Sequence, residues 1–157
     1  MSEKFIDIIY SEYESMEILP IEYKQLLKNA IDAANCAYAP YSKFYVGAAV
    51  KMSNGIIVTG SNQENAAYPS GLCAERVALF HAHHSYPNEA VDAIAIIAKD
   101  NDGNLTQELT VPCAACIQVL VESEKRGNRP IVIIIGSASK IITVDSVQKL
   151  LPFSFGK

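Results

Sequence analysis

The segment Ile131–Ile135 constrains the fold most, because all five of its side chains are branched at Cβ. Such a segment is typical of a strand at the centre of a sheet, buried on both faces. Asp92–Lys99 alternates and then becomes apolar, which predicts a second, largely buried strand. Each strand follows a segment with helical character, from about Cys73 to His84 and from Cys113 to Lys125. Alternating helices and buried strands predict an α/β domain with helices packed on the sheet.

The other predicted elements complete a three-layer α/β/α sandwich around a mixed sheet of about five strands. They are a helix from Ile21 to before Ala39, strands at Phe44–Met52, Ile56–Ser61 and Lys140–Val144, and a short last helix at Val147–Leu151. Ser53-Asn54-Gly55 predicts a hairpin turn between the first two of these strands. We expect residues 1–20 to be an N-terminal extension of unknown role, able to form a short helix, and residues 21–157 to be a single domain.

Composition excludes several classes of protein. Half of the 157 residues are hydrophobic and 19% are charged, which excludes intrinsic disorder as the main state. The formal net charge of -4 argues against a protein that holds a nucleic-acid polymer through a basic face. No stretch approaches the roughly 20 apolar residues of a membrane-spanning helix, and the N-terminus lacks the apolar core of a secretory signal. We therefore expect a cytoplasmic protein whose four cysteines are metal ligands or catalytic thiols rather than disulfides.

Two cysteine motifs carry the candidate chemistry. Cys73 begins one predicted helix, and Cys113 and Cys116 lie in the first turn of another. Their spacing puts the latter two sulfurs on one face, and the positive end of the helix favours thiolates. A third thiolate from Cys73 would leave the fourth position of a tetrahedral zinc ion for water, as in catalytic zinc sites. Glu75 is close enough to move protons without being a ligand, and Arg76 supplies a cation that offsets the sulfur charge.

The same residues allow other interpretations. A Cys-x-x-Cys pair at a helix start is also typical of a structural half-site or of a redox pair. His81 and His84 are three residues apart and, with Cys113 and Cys116, match a structural Cys₂His₂ site. That site would make the protein a metal-stabilised interaction module, but it leaves the Cys73-Ala74-Glu75 order unexplained.

The order of the motifs is more specific than either motif alone. Cys-x-Glu, about forty residues, and then Pro-Cys-x-x-Cys is the pattern of zinc nucleobase deaminases, with Cys in place of the first His. Further matching blocks lie at residues 41–49, 60–76, 112–120 and 150–155. On these motifs the chain resembles the cytidine deaminases that act on free nucleosides, the homotetrameric class with three cysteine ligands. The resemblance covers roughly Lys24 to Phe155.

The resemblance implies hydrolysis of cytidine and 2′-deoxycytidine to the uridine nucleosides and ammonia, a reaction of pyrimidine salvage. It implies one Zn²⁺ held by Cys73, Cys113 and Cys116, with Glu75 transferring protons and Arg76 supporting the thiolates. The partners it implies are a small-molecule nucleoside and further copies of the chain in a homotetramer, with neither a nucleic-acid polymer nor a membrane.

The resemblance also implies a set of substrate contacts. Asn62 and Glu64 match the pair that binds ribose in the family, since an amide donates and accepts while a carboxylate accepts from a hydroxyl. Phe44 and the backbone of Ala74 match groups near the pyrimidine. Phe155 aligns with the C-terminal aromatic residue that reaches the pocket of a neighbouring subunit.

The chain departs from the family pattern at two positions of the second motif. Ala114 and Ile117 stand where the family usually has Gly and Arg. Ile117 removes a cation beside the thiolates, and we expect it to pack, because Val119 and Leu120 give the helix an apolar environment. The runner-up functions are a deaminase for another aminopyrimidine nucleoside, of the blasticidin type, and a catalytically silent nucleoside-binding protein. Away from the site, we expect Cys36 and Phe153 to pack in the core.

Overall fold

The computed structural model describes residues 1–156, which form six strands and three α-helices. The strands are β1 (Ser11–Tyr13), β2 (Tyr45–Met52), β3 (Ile57–Ser61), β4 (Val91–Lys99), β5 (Val132–Gly136) and β6 (Ile141–Val144). The helices are α1 (Ile21–Ala34), α2 (Ala74–Ser85) and α3 (Ala114–Gly127), with short 3₁₀ turns at Met16–Ile18, Tyr68–Ser70 and Val147–Leu150. Within this part of the chain, no helix has the length and apolar character needed to cross a bilayer.

The strands form one mixed sheet in the order β1-β6-β5-β4-β2-β3. The β4 and β5 strands run parallel at its centre, and the other neighbouring pairs are antiparallel. Their Ile94, Ile96, Ile133 and Ile135 side chains are fully buried, which confirms the central position predicted for the β-branched segment. The sheet has six strands rather than about five.

Helices cover both faces of the sheet, which confirms the three-layer α/β/α architecture. On one face, Leu26, Leu27 and Ala30 of α1 pack in a cluster with Ile97 and Ile134. On the other face, α2 and α3 pack in the larger cluster through side chains that include Leu79 and Leu120. Both of these helices begin at a cysteine. Because they pack on the same face of the sheet, their cysteine sulfurs lie close together.

Two glycines let α1 and α2 approach the sheet closely. A Cβ atom at Gly47 would lie 2.0 Å from the carbonyl oxygen of Ala30, and one at Gly60 would lie 2.4 Å from the backbone nitrogen of Ala78. Neither contact is possible for a side chain, so glycine is required at both positions. The contact at Gly60 in β3 fixes the distance between α2 and the sheet, and therefore the position of the first turn after Cys73.

The N-terminal segment differs from its predicted short helix. Residues Ser11–Tyr13 form a strand that pairs with β6, with Ser11 opposite Thr143, and Met16–Ile18 form a single 3₁₀ turn. The prediction was wrong because the strand depends on pairing with a segment more than a hundred residues away, which local periodicity does not reveal. This edge strand accounts for the sixth strand of the sheet.

Two predicted core residues are exposed. Helix α1 ends at Ala34, so Cys36 lies beyond the amphipathic part of the helix and faces outward. Phe153 is 90% exposed, because the C-terminal tail lies against α3 through backbone hydrogen bonds and not through its aromatic rings. The core predictions for Cys36 and Phe153 were therefore wrong.

Candidate metal centre and substrate pocket

Three cysteine sulfurs meet at the start of α2 and α3. Cys73 and Cys113 are the N-cap residues of the two helices, and Cys116 lies one turn into α3. The three Sγ atoms all lie within 4.8 Å of one another, and those of Cys73 and Cys113 are 3.9 Å apart. A tetrahedral zinc ion with Zn–S bonds of about 2.3 Å separates its sulfurs by about 3.8 Å. The cluster therefore has the spacing and the soft donor set that zinc requires.

The sulfurs share protons unequally. Hydrogen bonding to the Cys116 thiol, and then to Arg76, lowers the pKa of Cys73 to about 5, against the opposing effect of partial burial. The pKa of Cys116 is raised, because its thiol donates to Cys73 and is itself buried. The Arg76 Nη2 atom lies 3.7 Å from the Sγ atom of Cys73. Even without a metal, the site is therefore arranged to hold a thiolate at neutral pH.

Glu75 is a buried carboxyl group beside this cluster, with only 5% of its surface exposed. Burial raises its pKa, and the negative charge on Cys73 acts in the same direction. Placement in the first turn of α2, two residues after Cys73, keeps the carboxyl next to the sulfurs without making it part of the group of three. Glu75 is thus a buried carboxyl group of raised pKa beside the sulfurs, the type of group that serves in general acid–base chemistry.

A cavity of about 520 Å³ opens onto Cys73 and Arg76. Its walls come from Tyr41 and Ser42 and from the segment that leads from β3 to the first turn of α2. This volume lies within the range of about 300–1,000 Å³ that is usual for small-molecule sites. The cavity is therefore large enough for a small molecule and lies against Cys73 of the sulfur cluster.

Asn62 and Glu64 both line the cavity, and both are held by backbone groups. The Asn62 side chain accepts from the Val46 N–H at 2.8 Å and donates to the Phe44 carbonyl at 2.9 Å. Glu64 Oε2 accepts from the N–H groups of Tyr41 and Ser42 at 2.9 and 3.2 Å. Hydrogen bonding from the Ser42 hydroxyl is the largest of the effects that lower the pKa of Glu64. Both side chains are fixed in place, and Glu64 is kept as a carboxylate.

Three other predicted substrate contacts, Phe44, Ala74 and Phe155, do not line this cavity within one chain. Phe44 lines a different concavity of about 560 Å³ near Glu108 and Val111. Ala74 is fully buried in the first turn of α2, and Phe155 is 86% exposed on the C-terminal tail. The cavity walls formed by residues 1–156 include none of these three side chains.

Two tyrosines that the sequence analysis did not single out shape the entrance of the cavity. The rings of Tyr41 and Tyr68 meet edge to face, with their centroids 6.5 Å apart. Both residues lie inside the sequence blocks on which the family resemblance rests, and that was the only signal that could have identified them.

The histidines of α2 take no part in the metal centre. Among residues 1–156, one group of three metal-ligating side chains is close enough to share an ion, and it contains cysteines only. His81 and His84 are exposed, while the His83 Nε2 atom is hydrogen-bonded to the Ser123 hydroxyl at 2.8 Å. The alternative Cys₂His₂ site is therefore not formed. On α3, Ile117 packs partly buried against the larger core cluster, as expected.

Comparison with known proteins identifies the family. A sequence model described as the cytidine and deoxycytidylate deaminase zinc-binding region matches residues 20–131. The chain belongs to the cytidine deaminase family. It is a zinc-binding hydrolytic deaminase, and the triad of Cys73, Cys113 and Cys116 is its metal-binding group.

Individual relatives support the assignment of this chain to the cytidine deaminase family. A curated cytidine deaminase from Halalkalibacterium halodurans is 38% identical over 135 residues, which cover 86% of this chain and 95% of the relative. The crystal structure of the Mycobacterium tuberculosis cytidine deaminase aligns with a TM-score of 0.69 at 33% identity, covering 88% of this chain and all of that one. The Burkholderia pseudomallei cytidine deaminase aligns with a TM-score of 0.70 at 34% identity, covering 83% and 97%.

Proposed function

We propose that this deaminase converts cytidine and 2′-deoxycytidine to uridine and 2′-deoxyuridine, with release of ammonia. The observation that carries the proposal is the combination of three clustered sulfurs, a buried carboxyl group beside them and a nucleoside-sized cavity opening at Cys73. The family match and the relatives named cytidine deaminase support the choice of substrate. The reaction belongs to pyrimidine salvage. The metal ligands are cysteines outside any disulfide, and the cytoplasm keeps thiols in this reduced state.

The chemistry that zinc supplies when bound by Cys73, Cys113 and Cys116 is Lewis acidity, which activates water at neutral pH. Glu75 accepts a proton from the attacking water and delivers it to N3 of the pyrimidine, which makes C4 electrophilic. It then takes the remaining proton from the hydroxyl group added at C4 and delivers it to the amine, so that the C4–N bond breaks, the C4 carbonyl forms and ammonia leaves as a neutral molecule. Arg76 holds positive charge against the sulfur of Cys73 throughout.

The remaining residues orient the nucleoside. Asn62 and Glu64 bind the ribose hydroxyls, since each retains hydrogen-bonding capacity beyond the backbone groups that it already holds. We assign the pyrimidine contacts to Phe44, whose carbonyl accepts from the cavity-lining Asn62 amide, and to the backbone of Ala74, which directly follows Cys73. Phe155 completes the pocket of a neighbouring subunit in a homotetramer, which is consistent with its exposure in a single chain.

The deaminase domain comprises residues 21–157, and residues 1–20 are an extension added to it. Support comes from the family match, which begins at residue 20, and from the position of β1 at the outer edge of the sheet. The metal centre and the cavity lie among residues 41–116, far along the chain from the extension.

The proposal is tested by ultraviolet monitoring of cytidine and 2′-deoxycytidine, each incubated with purified protein of known zinc content. Adenosine serves as the control, because it is an amino nucleoside with a purine base. We expect both cytosine nucleosides to be consumed, with one zinc ion per chain, and adenosine to remain. Zinc-loaded protein that consumes neither cytosine nucleoside would overturn the proposed function.

A further inference from the structure

The C-terminal tail is attached to α3 by its backbone. The Gln118 side chain donates from Nε2 to the Phe155 carbonyl at 3.1 Å, and its Oε1 atom accepts from the Phe155 N–H at 3.0 Å. One amide group therefore satisfies both backbone groups of a single residue, as a neighbouring strand would. Such a reciprocal pair fixes the direction of the tail as well as its distance from the helix.

Neighbouring contacts restrict the tail further. The Lys125 Nζ atom, two turns along α3 from Gln118, donates to the Gly156 carbonyl at 2.8 Å. Gln148 donates to the Ser154 hydroxyl at 3.3 Å. Gly156 itself has a φ of +88°, a conformation that glycine adopts without strain. Three successive tail residues are thus held by polar contacts.

The backbone of Phe155 is hydrogen-bonded, whereas its ring is exposed. An aromatic side chain that anchors a tail is normally buried, since burial of its apolar surface supplies most of the stabilisation. Here the backbone groups are hydrogen-bonded, yet Phe155 as a whole is 86% exposed, so its ring is not buried. The hydrogen bonds therefore fix the backbone from which the ring projects, while the ring stays accessible to another molecule.

The exposed entrance of the cavity offers a complementary surface. Tyr68 is 79% exposed at the cavity wall, and Tyr41 beside it is also exposed. In a symmetric assembly of identical chains, each copy can supply a Phe155 ring to the cavity of another copy. Gln118 lies on α3, whose N-cap is Cys113 and whose first turn holds Cys116, so the backbone of Phe155 is fixed relative to the sulfur cluster.

We propose that Gln118 is a positioning residue that acts through Phe155, holding this ring at the cavity entrance of a second copy of the chain. The inference rests on the proposed function, in which Phe155 contributes to the pocket of a neighbouring subunit. It adds the device that fixes the ring, namely the paired hydrogen bonds from the Gln118 amide to the Phe155 backbone.

The test is a double-mutant cycle on cytidine turnover with Gln118→Ala, Phe155→Ala and the two combined. Phe155→Ala should lower kcat/KM about 5- to 150-fold, the range expected for loss of one aromatic contact to a base. Gln118→Ala should lower it to a similar degree, mainly by raising KM. The combined variant should be no worse than Phe155→Ala alone, because Gln118 has no further role once the ring is gone.

Two further variants serve as a control and as a conservative replacement of Gln118. Gln25→Ala, which changes an exposed glutamine on α1, should keep the kinetic constants of the unaltered protein. Gln118→Glu keeps the size of the side chain but loses the donor to the Phe155 carbonyl, and it should raise KM even if Gln118→Ala folds poorly. Zinc content should be unchanged in every variant, which separates positioning from damage to the metal centre.

Each opposing outcome has a distinct meaning. Normal kinetics in both folded Gln118 variants, alongside an impaired Phe155→Ala, would overturn the role of Gln118 alone. Multiplying losses in the combined variant would show that Gln118 acts elsewhere, which also overturns it. An active protein that tolerates Phe155→Ala would remove the role of the ring, and this inference with it. An inactive unaltered protein would instead overturn the proposed function.

Discussion

The sulfur cluster and the entrance of the cavity are built on different principles. The cluster is formed by the first turns of two helices that pack on one sheet, and its three ligands come together within a single chain. The entrance is formed by loops, and Phe155, which the family resemblance assigns to the pocket of a neighbouring subunit, does not line the cavity of its own chain. One chain supplies all three metal ligands, and we propose that enclosure of the substrate needs the assembly.

The largest expected effect is at the sulfur cluster. Replacing Cys73 with Ser should reduce zinc content and lower deamination at least ~10³-fold, because water without bound metal has a pKa of about 15.7 rather than about 7. Metal analysis and cytidine turnover on the same sample measure both. Cys36→Ser is the matched control, since Cys36 is an exposed cysteine outside the cluster, and it should behave as the unaltered chain. Full zinc occupancy and full activity in Cys73→Ser would remove the three-thiolate site.

The next effect concerns the entrance. We expect light scattering to give four times the mass of one chain, and dilution below the assembly threshold to lower kcat/KM. The expected loss is about 5- to 150-fold, the contribution of one aromatic contact to a base. Zinc content should be unaffected by dilution, because its ligands lie within one chain. A monomeric mass with full activity at the same concentration would contradict the idea that the entrance is shared.

A smaller effect is expected at Ile117, which lies in the second turn of α3, and it tests whether this part of the helix packs against the core. Ile117→Arg should lower the free energy of unfolding by about 1–3 kcal/mol, the usual cost of forcing a larger group into a packed position. Ile117 is partly buried against the core, so an arginine there must displace apolar contacts. Ile117→Met, with an unbranched apolar side chain, is the control. An unchanged melting temperature with faster turnover would show that a positive charge at this position, and not apolar packing, is what matters.

The smallest effect concerns the contact between α2 and α3 away from the metal. Burial, together with the positive charge of Arg126, lowers the pKa of His83 from 6.5. The unfolded chain therefore binds more protons at this residue, so stability is lost as the pH falls from about 6.5 through the lower folded pKa. Thermal melting as a function of pH should show a shallower acid-side decline in His83→Gln than in the control His84→Gln, where the residue is exposed. Identical pH profiles for the two variants would contradict it.

The sequence was most informative where local pattern and chemistry coincide. The hairpin of β2 and β3, the buried strands and both cysteine-bearing helices were all predicted, because periodicity and turn residues report on them directly. The same holds for Cys73, Cys113 and Cys116, whose spacing places them in the first turns of their helices.

Features that depend on distant contacts were not predicted. The pairing of Ser11–Tyr13 with β6 and the attachment of the tail to Gln118 both join segments that are far apart in sequence. Cys36 was wrongly placed in the core because α1 ends two residues earlier, a boundary that apolar spacing alone does not define. Phe153 was wrongly placed there because hydrophobic character does not distinguish a buried ring from one on a tail held by its backbone.

The central claim is that the buried carboxyl of Glu75 moves the protons of the reaction beside a zinc site that it does not help to hold. The most direct measurement compares zinc content, assembly and cytidine turnover in Glu75→Gln, with the exposed Glu122→Gln as the matched control. We predict unchanged zinc and assembly, with turnover reduced at least ~10²- to 10⁴-fold, the usual contribution of one positioned acid–base group. Glu122→Gln should remain fully active. If Glu75→Gln deaminates cytidine at the rate of the unaltered chain, or loses activity only in proportion to lost zinc, the claim is wrong.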